Sequence, residues 1–183
     1  MAELTQIPFE REKFRQLIIY IAEQTADDPY FGDTHLNKAL YWSDFDGYQQ
    51  LGQPVTGATY FKLQYGPAAK PLLPVRDELA DEGLVEIQEP PPGVKRVRKT
   101  VPRQPAATDL FSADELRLVD GVIARLRRRT AARVRDQAHE ESAGWNLVEM
   151  YDDIPYHTAL IPSEPPSEET LARGRELAAR FGW

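Results

Sequence analysis

Few side chains in this sequence stand at spacings that support chemistry. The three histidines, His35, His139 and His157, are far apart, and "HEESAGW" lacks the second histidine four residues on that a zinc-hydrolase helix requires. The adjacent acids Asp152 and Asp153 point to opposite sides of an extended segment, which is poor geometry for paired acid–base catalysis. The sequence contains no cysteine, no glycine-rich phosphate loop and no Gly-x-Ser-x-Gly elbow. We therefore expect no enzymatic activity, no metal and no cofactor.

The positive charge of the chain is concentrated in its centre. The stretch "KRVRKTVPR", residues 95–103, carries five cationic side chains, and "RLRRR" follows at the end of a predicted helix. Residues 1–92 have a net charge of −8, residues 93–135 of +8 and residues 136–183 of −7. Two interpretations are open: a surface for an external polyanion, or a centre that the acidic arms neutralise within the fold. We favour neutralisation, because dedicated nucleic-acid modules are usually basic as a whole.

Length and composition indicate one globular domain. A chain of 183 residues that is 42% hydrophobic can bury one core of ordinary size. There is no long apolar run, and the first residues lack the basic-then-apolar pattern of a signal peptide. We therefore expect a cytoplasmic protein that has no membrane partner.

Hydrophobic periodicity predicts a mainly helical α+β fold with five to six helices and one β-hairpin. An apolar stripe at helical spacing predicts the first helix over residues 12–25, and Asp33 or Thr34 is expected to cap the second. A third helix is expected from near Lys70 to a Gly83 C-cap. The runs "LVEIQ" and "VKRVRKTV" around "PPPG" predict the hairpin, whereas "ATYFKLQ" stays open between an extended and a helical piece.

The clearest helix start in the sequence lies at Ser112. Phe111 and Leu116 are placed to form a hydrophobic staple, and Ser112 with Glu115 to form a capping box. Thr130 is expected to cap the next helix. After "HEESAGW" the chain is expected to be irregular, and a last short helix is expected over "ETLARGRELAARF".

The order of motifs in residues 36–87 resembles the signature region of the Panacea antitoxin domain, the SocA-like family of bacteria and their phages. That region combines a Lys-hydrophobic-Leu-Tyr-aromatic-small-Asp helix, a Gly-x-Pro-hydrophobic-Thr/Ser-Gly loop, a Tyr-Gly-Pro turn and a helix that ends in Gly-hydrophobic. Downstream, "SADEL", "HEESAGW" and "DDIPY" resemble the second half of the family, so that the resemblance spans residues 14–161. The matching positions of the signature region are Lys38, Leu40, Tyr41, Trp42, Ser43, Asp44, Gly52, Pro54, Val55, Thr56, Gly57, Tyr65, Gly66, Pro67 and Gly83.

The resemblance implies a non-enzymatic antitoxin domain over residues 1–161, followed by an extension with a short helix over residues 162–183. Members of this family are encoded beside toxins and neutralise them by direct protein binding, which implies a cognate protein toxin as the partner. Adaptor action, in which the antitoxin delivers its toxin to a protease such as ClpXP, is an alternative mechanism that the resemblance also implies. The long basic hairpin is not a hallmark of the family.

Two sets of candidate site residues follow. Tyr41, Trp42 and Phe45 are candidates for an exposed aromatic anchor, although their place on a helical apolar stripe favours core packing. Arg96 and Arg98 of the basic hairpin are candidates for contacts with a partner. The positions that match the family motifs are expected to be structural, and these are Lys38, Asp44, Gly57, Tyr65, Gly66, Pro67, Gly83, His139, Glu140 and Trp145.

A nucleic-acid-binding regulator is the alternative from another class of protein. Three helices followed by a β-hairpin is also the order of a winged-helix DNA-binding domain, and the basic hairpin stands where the wing would be. The third helix, "LLPVRDELADE", however offers one arginine among several acids, which phosphate would repel. The charges of the second strand also cover both of its faces. We therefore rank nucleic acid second, after pairing with acids inside the fold or on a partner.

Overall fold

The computed structural model describes residues 7–90, 97–162 and 167–182. Within these residues the chain forms seven α-helices, two antiparallel β-hairpins and two short 3-10 helices, so the expected mainly helical α+β class is confirmed. The helices are α1 (Arg11–Gln24), α2 (Asp33–Leu51), α3 (Leu72–Asp81), α4 (Ala113–Leu126), α5 (Ala131–Glu141), α6 (Ala143–Leu147) and α7 (Glu168–Phe181). The strands are β1 (Tyr60–Leu63), β2 (Gly66–Ala69), β3 (Val85–Gln88) and β4 (Lys99–Pro102), and the 3-10 helices are Thr108–Leu110 and Tyr156–Leu160.

Helix α2 is the centre of the fold. It packs against α1, α4, α5, β2 and the second 3-10 helix, and most of its residues from His35 to Gly47 are buried. Four of those buried residues, His35, Lys38, Ser43 and Asp44, are polar. Because a polar group removed from water is costly unless it finds a hydrogen-bond partner, the surroundings of α2 must supply acceptors and donors.

Several local predictions are confirmed. Helix α1 starts and ends within one residue of the predicted bounds and buries the apolar stripe that includes Phe14 and Leu17. Ser112 caps α4 in a complete capping box with Glu115, and Thr130 caps α5 through the amide of Arg133. These features depend only on neighbouring residues, which is why their pattern is legible in the sequence.

The predicted cap of α2 is wrong. The helix begins at Asp33, but its N-cap is Gly32 and no side chain caps it. The carboxylate of Asp33 instead lies 2.6 Å from the buried guanidinium of Arg76 on α3. Gly32 also packs too closely against Val97 for a side chain, because an added Cβ would lie 2.5 Å from the Cβ of Val97.

The structure contains one hairpin that the sequence predicts and one that it does not. Strands β3 and β4 pair as expected, from Val85 opposite Pro102 to Gln88 opposite Lys99. Residues 91–96 of the predicted hairpin lie outside the described residues. The second hairpin pairs β1 with β2 and lies between α2 and α3, where "ATYFKLQ" had no assignment. The winged-helix order of three helices and a hairpin is therefore interrupted by an additional hairpin.

Candidate functional site

The buried carboxylate of Asp44 ties α2 to the loop that precedes β1. Its Oδ1 accepts a hydrogen bond of 2.5 Å from the amide of Thr56, and its Oδ2 accepts bonds from Thr56 Oγ1 (2.6 Å) and Tyr60 Oη (2.7 Å). Burial raises the pKa of Asp44, while the hydrogen bonds from Thr56 and Tyr60 oppose that rise. The loop is fixed at its end by Gly57, whose φ is +70° and whose added Cβ would lie 2.2 Å from the carbonyl oxygen of Pro8. We call Asp44, Thr56 and Tyr60 the Asp44 cluster.

The buried amine of Lys38 holds the turn between β1 and β2. Its Nζ donates to the carbonyl oxygen of Pro67 at 2.8 Å, and the side chain is 3% exposed. Gly66, with φ at +98°, lets the strand approach, because an added Cβ would lie 2.9 Å from Lys38 Cε. Burial lowers the pKa of Lys38 to about 7. The Tyr-Gly-Pro motif is therefore the site where a lysine from α2 meets a backbone carbonyl.

The motif "HEESAGW" meets the same hairpin from the other side. The indole Nε1 of Trp145 donates to the carbonyl oxygen of Leu63 at 3.0 Å, and the His139 ring stacks on the indole with a centroid distance of 4.1 Å. Lys62 Nζ lies 4.5 Å from the centre of the Trp145 ring. The pKa of His139 is lowered, mainly by burial and also by the positive charge of Lys38.

The remaining motif positions lie at the surface. Tyr65 is in the turn between β1 and β2 and is 60% exposed. Glu140 is exposed on α5, and Gly83 follows α3 with φ at +73° and open space around it. The structure thus brings Lys38, Gly66 and the motif around Trp145 together at the hairpin, whereas Gly83 lies apart after α3.

The three aromatic anchor candidates are buried. Tyr41, Trp42 and Phe45 are each 3% exposed, and Tyr41 stacks on Phe45 with a centroid distance of 4.2 Å. The Tyr41 hydroxyl lies 2.6 Å from Ser142 Oγ. These contacts favour the core-packing interpretation. Their role in partner binding stays a prediction, and a partner would reach them only through the groove that their edges line.

That groove has a volume of about 240 Å³ and a charged wall. The guanidinium carbon of Arg125 lies 4.7 Å from the centre of the Trp42 ring, and Arg125 Nη2 lies 3.0 Å from Asp46 Oδ2. Ile161 and Pro162 close another side. No pattern in the sequence indicates Asp46 and Arg125, because residues separated by 79 positions form a pair only when α2 and α4 pack together.

Several cations of the basic centre have acceptors within the fold. Arg98 lies 2.6 Å from Glu89 and 3.7 Å from Asp33, and Lys99 Nζ donates to the carbonyl oxygen of Asp28 at 2.7 Å. Arg103 and Arg127 also form ion pairs within the chain, with Glu86 and Asp27. The preferred neutralisation by acids of the chain is observed for Arg98, Arg103 and Arg127, whereas Lys99 is bonded to carbonyl oxygens. Arg96 lies outside the described residues.

The described residues contain neither a metal-binding cluster nor a membrane-spanning helix. In residues 7–90, 97–162 and 167–182, no group of three or more His, Cys, Asp or Glu side chains could hold a metal ion. No helix in the described part of the chain has the length and apolar character needed to cross a bilayer.

Comparison with known proteins defines the class. Residues 36–146 match the model of the family described as antitoxin SocA-like, Panacea domain. This match covers more than half of the chain, and the protein belongs to that family. It lies inside the span of the resemblance that the motifs indicated. No curated protein and no solved structure matches the chain significantly.

Proposed function

We propose that this chain is the antitoxin of a toxin–antitoxin pair and that it neutralises a cognate protein toxin by binding it directly. The observation that carries the proposal is family membership over residues 36–146. The mechanism we propose is steric: a preformed surface covers the toxin and transforms no substrate of its own. We place this action in the cytoplasm.

The hydrogen bonds of the signature residues support a structural role, in which these residues stabilise the fold. Polar side-chain atoms of three signature residues are bonded inside the fold. Lys38 donates to Pro67, Asp44 accepts from Thr56, and Trp145 donates to Leu63. A residue whose polar atoms are satisfied internally has little left for a ligand. The signature therefore defines a scaffold, and the parts that choose a partner lie on its surface.

Nucleic acid is the weaker candidate for the partner. Arg76, the arginine of α3, is fully buried beside Asp33 and does not reach solvent. The exposed charged residues of α3, such as Asp77 and Glu78, are acidic and would repel phosphate. The described cations of the basic hairpin are held by acids or carbonyl oxygens of the same chain.

We also propose a division of the chain into an antitoxin domain, residues 1–161, and an extension, residues 162–183. Helix α7 begins beyond the end of the family match and buries none of its residues. Removal of residues 162–183 should therefore leave the thermal unfolding of the domain unchanged.

The test is co-expression with the protein encoded by the adjacent open reading frame. We expect the neighbouring product to arrest growth alone, growth to recover when this chain is present, and the two proteins to co-purify. Rescue in a strain without ClpXP supports steric neutralisation, whereas rescue that requires ClpXP, with falling toxin levels, supports the adaptor mechanism. Absence of both rescue and co-purification contradicts the proposal.

A further inference from the structure

Exposed apolar side chains are concentrated at one place on the surface. Of the thirteen large hydrophobic residues that are exposed in the described chain, three lie within the five residues 147–151. Single exposed apolar residues are ordinary, but a local concentration marks an interaction site. Tyr65, Leu147, Met150 and Tyr151 are 60%, 65%, 44% and 70% exposed, and we call these four residues the tip surface.

Hydrogen bonds hold the segments of the tip surface side by side. The amide of Tyr151 donates to the carbonyl oxygen of Lys62 at 3.0 Å, and Lys62 Nζ donates to the carbonyl oxygen of Val148 at 2.9 Å. Trp145 is bonded to Leu63, which is two residues before Tyr65 in the turn. The segment from 145 to 152 is thus fastened along β1, next to the turn that carries Tyr65.

The backbone at Tyr151 is strained, and within the described chain only its amide, which donates to Lys62, makes a hydrogen bond, while its side chain is exposed. Its φ is +74°, in the left-handed region that a bulky L-residue adopts only at a cost of about 1 kcal/mol or more. The side chain is 70% exposed, so its burial within the fold returns little of that cost. Glycine would adopt the same conformation without strain. Strained backbone at an exposed side chain is typical of residues at ligand and partner sites.

The charges around the tip surface are acidic. Glu140, Glu149 and Asp152 are exposed and have no cationic partner among the described residues. The nearby lysines are engaged, because Lys62 binds Val148 and lies over Trp145, and Lys70 pairs with Asp153. An apolar centre with a negative rim attracts a partner with basic side chains around an apolar protrusion, and it repels phosphate.

We propose that the tip surface is where the toxin docks, and that the docking face of the toxin is basic with an apolar centre. This inference rests on the proposed antitoxin function and names the surface that performs it. Tyr65, Leu147 and Tyr151 are the anchors, and Glu140, Glu149 and Asp152 steer the approach. The groove beside Trp42 lies outside the proposed contact.

Cysteine mapping gives the first test, because the natural chain has no thiol. Leu147→Cys and Leu73→Cys each introduce a single reactive thiol at sites that are 65% and 57% exposed. The adjacent-frame product should slow maleimide labelling at position 147 by at least about 10-fold and leave position 73, on α3, unchanged. Equal labelling at both positions in the presence of a bound partner overturns the inference, as does protection of position 147 by RNA.

Substitution gives the second test and separates binding from folding. Tyr151→Gly removes the ring and relieves the backbone, so it should weaken binding by at least about 10-fold without loss of thermal stability. Leu147→Asp should weaken binding similarly, whereas Leu73→Asp should change it less than about 2-fold. Glu149→Lys should lower the association rate and reduce its dependence on salt.

The outcomes distinguish this inference from the function on which it rests. If the natural chain binds and neutralises the adjacent product but Tyr151→Gly and Leu147→Asp bind equally well, the docking surface is wrong and the antitoxin function stands. If the natural chain does not bind that product, the proposed function fails and the docking surface falls with it.

Discussion

The two hairpins of this fold are equal in size and differ in their surroundings. Both β1–β2 and β3–β4 pair four residues with four in antiparallel register. The β3–β4 hairpin belongs to the basic centre, and its described cations are paired with acids and carbonyl oxygens of the same chain. The β1–β2 hairpin is fastened from inside by Lys38, Asp44 and Trp145, and beside it lie exposed apolar residues and unpaired acids. The densest positive charge of the described sequence is thus largely paired inside the fold, whereas the surface that we propose for a partner is acidic and apolar.

The largest expected effect concerns the internal fastening of β1–β2. Asp44→Ala removes the acceptor of three hydrogen bonds from Thr56 and Tyr60 and leaves their donors buried. The free energy of unfolding should fall by at least about 3 kcal/mol. Urea denaturation followed by tryptophan fluorescence measures the loss. Asp77→Ala, on the exposed face of α3, should change the free energy of unfolding by less than about 0.5 kcal/mol. Equal losses in the two variants would show that the Asp44 cluster stabilises the fold no more than an exposed carboxylate does.

The next effect compares two glycines with similar backbone conformations. Gly66 and Gly83 have φ values of +98° and +73°, but an added Cβ meets Lys38 at 2.9 Å only at Gly66. Gly83→Ala should cost about 1 kcal/mol from backbone strain, and Gly66→Ala about 2–3 kcal/mol because steric conflict is added. Thermal unfolding of the two variants checks the order. A loss at Gly83 as large as at Gly66 would mean that close approach to Lys38 is unimportant.

How much of this arrangement the sequence predicts depends on the distance along the chain. The capping box of Ser112 and Glu115 and the helix α1 arise from near neighbours and are predicted correctly. The motif set also indicates the family, because it is an ordered pattern of residue types. The strand "GPAA" has little intrinsic preference for β structure and becomes a strand because α2 and α5 pack against it.

The site is less predictable than the fold because its contacts join residues that are far apart in the sequence. The acceptor of Lys38 is a carbonyl oxygen 29 residues away, so no pattern distinguishes this lysine from a solvated one. Tyr151 is a tyrosine in irregular chain, and its left-handed backbone is visible only in the structure. The apolar stripe of the sequence favours burial of Tyr41, Trp42 and Phe45, whereas the exposed apolar residues of the tip surface follow no periodicity.

The contribution of the β1–β2 hairpin to stability is expected to depend on pH through Lys38. Burial lowers the pKa of Lys38 from 10.5 to about 7, so between these values the unfolded chain binds more protons than the folded one. Stability that involves Lys38 therefore rises with pH across this window, by up to about 1.4 kcal/mol per pH unit. Relative to Lys38→Met, the natural chain should gain about 1–2 kcal/mol between pH 7 and pH 9. Parallel stability curves for the two proteins would show that Lys38 stays charged when folded.

The smallest effect is expected at the basic hairpin. Arg98 is 37% exposed and pairs with Glu89, which is 64% exposed, so solvent screens the pair and Arg98→Glu should cost less than about 1 kcal/mol. Reversal of Arg96 and Arg98 together should leave growth rescue by the co-expressed chain unchanged. Loss of rescue with intact stability would place the partner on the basic hairpin, and a salt-dependent shift of duplex DNA that disappears with the reversal would place nucleic acid there. If the Arg96 and Arg98 reversal leaves growth rescue unchanged while Tyr151→Gly weakens binding, the two hairpins have different roles. The β3–β4 hairpin then pairs charges within the fold, and the β1–β2 hairpin supports the surface that a partner contacts.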